Sequence, residues 1–304
     1  MRGRVKFVLR ALKCKDSFRP FIAPAASGAV LRALEKRPEM LGAVFWPYIC
    51  SNWDAHQRLR HIADHFKVID SMGHPFDFPI DQSFQVLNLA DVQESLRLVL
   101  DQPRWFMREG QLVLNLFAGD VRIYSIAFSF GCEVGDTVAY VGAIQGGNTT
   151  GVMADYKDLT KTLHGMRPRD FLVELLRSLC RAAGVKKIYA IAEASRQHRS
   201  NYFGRAKSDV LSLDYDEIWT ERGGVRVNDD FFVLAMAPAL KPLEEVASKK
   251  RAMYRRRYEL LETLDVRIAL ACGVQTPLKA SENGRPNLSA ASSGDPLDVT
   301  GKAA

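Results

Sequence analysis

The sequence predicts an α/β (α+β) protein built on one mixed, mostly antiparallel sheet flanked by helices. Two patterns carry that expectation. Alternating apolar residues across 112–145 are cut by two glycine-containing turns into three consecutive strands, and a leucine-rich segment at 170–183 is followed at once by a short buried run at 186–192. The first pattern gives an antiparallel meander. The second returns the chain through a helical crossover, which sets the next strand parallel to the last meander strand and makes the sheet mixed.

Taken in order, residues 1–20 form a basic segment with Val5, Phe7, Val8, Leu9 and Leu12 among its cations. Charges interrupt this apolar run and no small-residue cleavage site follows, so it reads as a solvated or docked terminal helix, with an anionic membrane surface as the alternative resting place, rather than as a signal peptide. Residues 24–70 read as helical, most clearly at 55–70, where Leu59, Ile62, Ala63, Phe66 and Ile69 recur every three or four residues behind a potential Asp54 cap. The meander strands are 112–116, 121–130 and 137–145, ending in Gly146-Gly147. A helix near 152–163 precedes Arg167-Pro168-Arg169, and Pro168 and Gly184 suit the start and exit of the helix between them. A polar loop at 196–215, a short helix at 215–220, a strand at 231–235 and a basic helix at 243–264 complete a single domain spanning 21–268. Residues 269–304, rich in Ser, Gly, Pro and Ala, read as a disordered tail.

Composition narrows the function without choosing it. The chain has 304 residues, 47% hydrophobic, with a formal net charge of +7, which favours acidic partners: an acidic protein, an anionic membrane surface or, as a weaker alternative, nucleic acid. Five widely spaced cysteines with no CxxC or Cys/His zinc spacing fit a reducing cytoplasm and give no metal set. No apolar run is long enough to span a bilayer.

The candidate site residues cluster in three places. Gln145, Gly146 and Gly147 open a loop, 145–151, able to form a backbone nest for an anion or to serve as an ordinary strand end. His164, Arg167 and Arg169 stand at a helix entrance, where free N–H groups and paired guanidinium groups suit a phosphate or carboxylate; the alternative is that the arginines salt-bridge neighbouring helices. His164, or Glu193 after the last central strand, is placed to handle a proton. In the basic helix, Lys250 and Arg257 fall inside the apolar stripe and so need a protein carboxylate, an anionic ligand or a snorkelling path. His61 and His65 share one helical turn and read as a packed or exposed pair rather than metal ligands, and Ser195 lacks the surroundings of a nucleophile.

The order helix, helix, three antiparallel strands, helix, strand, short helix, strand resembles the Gcn5-related N-acetyltransferase superfamily. That resemblance implies an acyl-CoA or acyl-carrier donor whose phosphates sit at the helix after the third meander strand. The superfamily's Gln/Arg-x-x-Gly-x-Gly/Ala loop is absent, and a long insertion separates Gln145 from the helix at Asp170. A closer resemblance is carried by Arg122-Ile123-Tyr124-Ser125-Ile126-Ala127-Phe128-Ser129-Phe130, Val141-Gly142-Ala143-Ile144-Gln145-Gly146, Leu163-His164-Gly165-Met166-Arg167-Pro168-Arg169, Asp214-Tyr215-Asp216-Glu217-Ile218-Trp219 and Lys249-Lys250-Arg251-Ala252-Met253-Tyr254-Arg255-Arg256-Arg257-Tyr258. Together these resemble the VirK/YbjX family of bacterial proteins, across roughly residues 25–265. The resemblance implies a role in virulence and in resistance to cationic antimicrobial peptides, with no catalytic residues to carry over. The expected function is therefore an envelope-associated, cytoplasmic or membrane-peripheral protein that is either acyltransferase-like or a non-enzymatic chaperone-like factor.

Overall fold

A computed structural model describes residues 2–147, 152–203, 213–237 and 240–274. Helices α1 (Arg2–Lys13), α2 (Lys15–Phe18), α3 (Gly28–Lys36) and α4 (Ala55–Met72) lead into strands β1 (Ser83–Asn88), β2 (Leu96–Asp101), β3 (Leu112–Ala118), β4 (Val121–Glu133) and β5 (Asp136–Gly146). Helices α5 (Val152–Thr162) and α6 (Pro168–Ala182), strand β6 (Lys187–Ile191), helix α7 (Tyr215–Glu221), strands β7 (Val225–Arg226) and β8 (Phe231–Leu234) and helix α8 (Ser248–Ala271) follow. The strands form one eight-stranded sheet in the order β1-β2-β3-β4-β5-β6-β8-β7, antiparallel throughout except where β5 meets β6.

The sheet is mixed, and the crossover through α6 sets β6 parallel to β5 as the sequence predicts. The meander is longer than expected, with five strands rather than three. Leu96, Leu98 and Leu100 do alternate with Arg97, Val99 and Asp101, but Val99 is buried too, so the second face is not clearly polar. The predicted helical stretch 24–70 is broken at Pro38–Val44, a 3-10 turn, before Asp54 caps α4. Asp54 accepts from Gln57 N at 2.8 Å while Gln57 Oε1 accepts from Asp54 N at 2.9 Å, a reciprocal capping box.

Leu112, Leu114 and Leu116 of β3 join Ile126, Phe128 and Phe130 of β4 in the main core, which α4 and α6 cover. Val113, Ala127 and Ala143 form a smaller cluster with Phe106. Gly142 is the extra residue of a β-bulge: Ala127 pairs with Ala143 but Phe128 pairs with Val141. The bulge lets Val141 and Ile144 both enter the main core.

The histidine pair on α4 is packed. His61 stacks on Trp53 with ring centroids 3.9 Å apart, and buried His65 accepts from Phe130 N at Nδ1. Burial pushes them down to about 4 and about 3 respectively. Both are neutral at physiological pH.

The apolar stripe expected in α8 holds only in its C-terminal half, where Leu264, Ile268 and Ala269 are buried. Lys250 is exposed in the first turn of α8. It needs no buried counter-charge. The residues 275–304 assigned to a tail lie outside the described residues.

Candidate functional site

The strands β5 and β6 stay paired only as far as Val141 and Ala190; beyond the Gly142 bulge β5 runs on paired with β4 alone. Tyr215, the first residue of α7, fills the gap. Its hydroxyl donates to Ile144 O and accepts from Ile144 N, each at 2.9 Å, and Arg196 lies 3.8 Å over its ring. Asp214 caps α7 by accepting from Asp216 N and Glu217 N, which fixes the tyrosine at the helix start.

Above the bulge lies Glu109. A Cβ on Gly142 would stand 2.0 Å from Glu109 O, and one on Gly110 would stand 2.5 Å from Phe128 N, so two glycines let this loop settle directly on β4 and β5. The Glu109 side chain is only 5% exposed. Burial pushes its carboxyl up to about 7, against the opposing hydrogen bond from Gln197 and the charges of Arg196 and Arg108. Gln197 Nε2 donates to Glu109 Oε1 at 3.2 Å, and His198 Nε2 stands 3.6 Å from the same oxygen. His198 is itself partly exposed and stacks on Phe203. Arg108, next in the chain, is within 6 Å of the rings of Trp46, Tyr202 and Phe203. A buried carboxyl poised near neutrality and a partly exposed imidazole beside it have the chemistry of an acid–base couple.

Sequence reading missed this pair. Glu109 and His198 are far apart in the chain and belong to no shared motif; the one local signal was an acidic residue and a glycine placed just before an apolar strand.

The residues predicted from sequence are distributed around two neighbouring points. Glu193 follows β6, but its carboxylate accepts from Arg196 at 3.0 Å, from Arg199 at 2.5 Å and from Tyr215 N at 3.3 Å. It holds the loop together and has its lone pairs engaged. Gln145 and Gly146 belong to β5, with Gly146 opposite Tyr124; Gly147 N donates to Ile123 O at 2.8 Å. Residues 148–151 of the predicted anion nest lie outside the described residues.

Tyr124 also feels the charges of Arg169, Asp170 and Arg167, so the end of β5 and the entrance to α6 adjoin. Arg167 donates to Asp170 and Glu221, each at 2.6 Å; Arg169 donates to Asp170 at 3.2 Å and to Glu221 at 2.6 Å. The hydrogen bond from Arg167 holds the Glu221 carboxyl below its ordinary range. The salt-bridge alternative for these arginines is thus what the geometry displays. His164 has φ +53, and its carbonyl accepts two bonds from Arg257, at 2.7 and 3.2 Å. Arg257 stacks 4.4 Å over Tyr254.

Arg257 also lines a cavity of about 370 Å³ between α6, the end of α7 and α8, together with Arg177, Arg222, Lys241, Glu174 and Glu221. Four cations face two carboxylates there. Glu174 Oε2, Arg177 Nε and Arg222 Nε are buried without a hydrogen-bond partner.

Residues 1–269 match the family described as protein of unknown function (DUF535). The chain belongs to that family. Among relatives of this DUF535 chain is an uncharacterised protein, YbjX, of Escherichia coli K12, 26% identical over 242 residues, which cover 78% of this chain and 73% of the relative. Two uncharacterised proteins of Haemophilus influenzae are 32% and 30% identical, over 58% and 70% of this chain and 56% and 70% of their own lengths. These matches agree with the VirK/YbjX resemblance. No solved structure matches the DUF535 chain, so its likeness to acetyltransferases rests on element order alone. Among the described residues no helix is long and apolar enough to cross a membrane, and no group of three or more His, Cys, Asp or Glu could hold a metal ion.

Proposed function

We propose that this chain is an acyltransferase-like enzyme, with an acyl-CoA or acyl-carrier thioester as donor. The observation that supports this reading is the arrangement around α7. Its first residue plugs the gap between β5 and β6 beside Glu109 and His198, and its last, Glu221, lies in the cation-rich cavity at the entrance to α6. They are the ends of a seven-residue helix, six steps and about 9 Å apart.

The donor set suits a phosphate group. Arg222, Lys241 and Arg257 offer cations in the cavity, and Arg167 and Arg169 become available when Glu221, one-third exposed, gives way to a stronger anion. In the reaction, an acceptor N–H or O–H attacks the thioester carbonyl, the C–S bond breaks, and the acceptor's proton ends on the departing sulfur. Glu109 and His198 carry that proton: one takes it from the acceptor while the other delivers it to the thiolate. With the role in virulence and peptide resistance that the family resemblance implies, this reading takes the acceptor from the cell envelope.

The test is thermal stabilisation by acetyl-CoA, longer acyl-CoAs and acyl-carrier protein, followed by thiol release in the presence of candidate amines and alcohols. Support requires a saturable shift that weakens at least tenfold in Arg257→Ala, and a thiol-release rate whose inflection near pH 7 vanishes in Glu109→Gln. Absence of any shift at millimolar ligand removes the reading. A second, non-enzymatic reading is favoured by one observation: Lys249, Lys250, Arg255 and Arg256 all stand exposed on the N-terminal half of α8. In that version they dock an acidic protein or a lipid head group, and the function survives Glu109→Gln.

A further inference from the structure

The outer face of α1 is apolar. Val8, Leu9 and Leu12 are 53%, 57% and 63% exposed, at a spacing that puts all three on one side of the helix. The inner side is already engaged. Phe7 packs on Phe18 and Phe45 with ring centroids about 6 Å apart, Cys14 is buried, and Arg10 stacks over Phe45 while donating to Val44 O. The helix therefore cannot turn its outer residues inward without exposing Phe7. Its main neighbours are α2 and the Pro38–Val44 turn.

Charge selects the surface this stripe meets. Between Phe7 and Ile22 the chain carries Arg10, Lys13, Lys15 and Arg19 against the single acid Asp16, and Lys13, Lys15 and Arg19 are exposed. An exposed apolar stripe bordered by cations matches the interface of a bilayer with anionic headgroups, where the side chains enter the acyl boundary and the cations meet phosphates. We infer that α1 docks this protein on an anionic lipid surface through Val8, Leu9 and Leu12, with Lys13, Lys15 and Arg19 reading the headgroups. The inference is independent of the acyl-transfer reading, since it uses none of the residues around α7.

The full chain is sedimented with vesicles of phosphatidylcholine alone and of phosphatidylcholine with 30% phosphatidylglycerol. The expected result is at least tenfold stronger partitioning onto the anionic vesicles at low salt. Leu9→Asp/Leu12→Asp should lose at least tenfold on the anionic vesicles, and Lys13→Glu/Lys15→Glu should erase the preference between the two. Both variants alter exposed positions, and a melting temperature equal to the parent's shows that each is folded. Equal partitioning onto both vesicle types, or binding unchanged in Leu9→Asp/Leu12→Asp, overturns the inference. So does a dimer in light scattering that dissociates in that variant without any vesicle binding by the parent, because a second copy would then be what covers the stripe.

Discussion

Glu109 and Gly142 act as a unit, since the loop bearing the carboxyl can sit on the bulge only while position 142 has no side chain. Gly142→Ala would place a methyl 2.0 Å from a backbone oxygen that cannot swing aside, and should cost about 2–4 kcal/mol, read as a lower urea midpoint. The carboxyl itself makes an opposite prediction. Its folded value is raised from 4.5 to about 7, so the folded state holds a proton that the unfolded state has already released. That contribution is complete below pH 4.5 and is lost as pH rises through 7. Glu109→Gln keeps the neutral form at every pH and should be more stable than the parent by roughly 2–3 kcal/mol at pH 8, with the difference closing near pH 4. Urea titrations at the two pH values check it; a difference that does not change with pH would show that Glu109 ionises normally. None of this was legible from the residue's neighbours in sequence. Arg167 and Arg169 stood out because proximity in sequence put two cations at one helix entrance, but Glu221, their main partner besides Asp170, arrives from another helix.

Helices and strands were legible where apolar residues recurred at a regular spacing between turn or cap residues. The helices α4, α6 and α7 and the strands β3 to β6 meet that condition, although α6, β3 and β4 are buried almost all round; their bounds fall close to those the periodicity predicts. The strands β1 and β2 were not among the strands predicted: each is only six residues long, and in β2 Val99 breaks the alternation of Leu96, Leu98 and Leu100 with polar residues. In α8 the error ran the other way: the stripe was extended to Lys250, which stands exposed, although Met253, Tyr254 and Arg257 further along are half-buried beside the loop that precedes α6. Local chemistry was more dependable than periodicity at helix starts. Asp54 is the clearest case, and Asp54→Ala removes one bond of the capping box and leaves the Gln57 return bond without its organising partner. The expected cost is about 1 kcal/mol, measurable as a lower midpoint with an unchanged slope in urea.

At the scale of the whole molecule, acid should act through the histidines packed on α4. His61 and His65 are held neutral in the fold, at about 4 and about 3, against an ordinary 6.5. Above pH 6.5 their contribution is complete; below it the unfolded chain takes up protons that the folded chain refuses, until the folded values are reached. In the Glu109→Gln background, which removes the opposing effect of that carboxyl, urea stability should fall by a few kcal/mol from pH 7 to pH 5. A flat profile over that range would mean that the rings are hydrated. The order of the chain has a last consequence. Arg267 of α8 donates to Asp91 at 2.9 Å and to Asn88 O, and α8 packs against β1, so the first strand of the sheet is secured by the last described helix. On the ribosome, a sheet whose outermost strand is made early would wait with its edge uncovered until nearly all of the described chain has emerged. Synthesis and final closure are thereby coupled, and the nascent chain spends that interval as a client for whatever shields exposed strands in the cell.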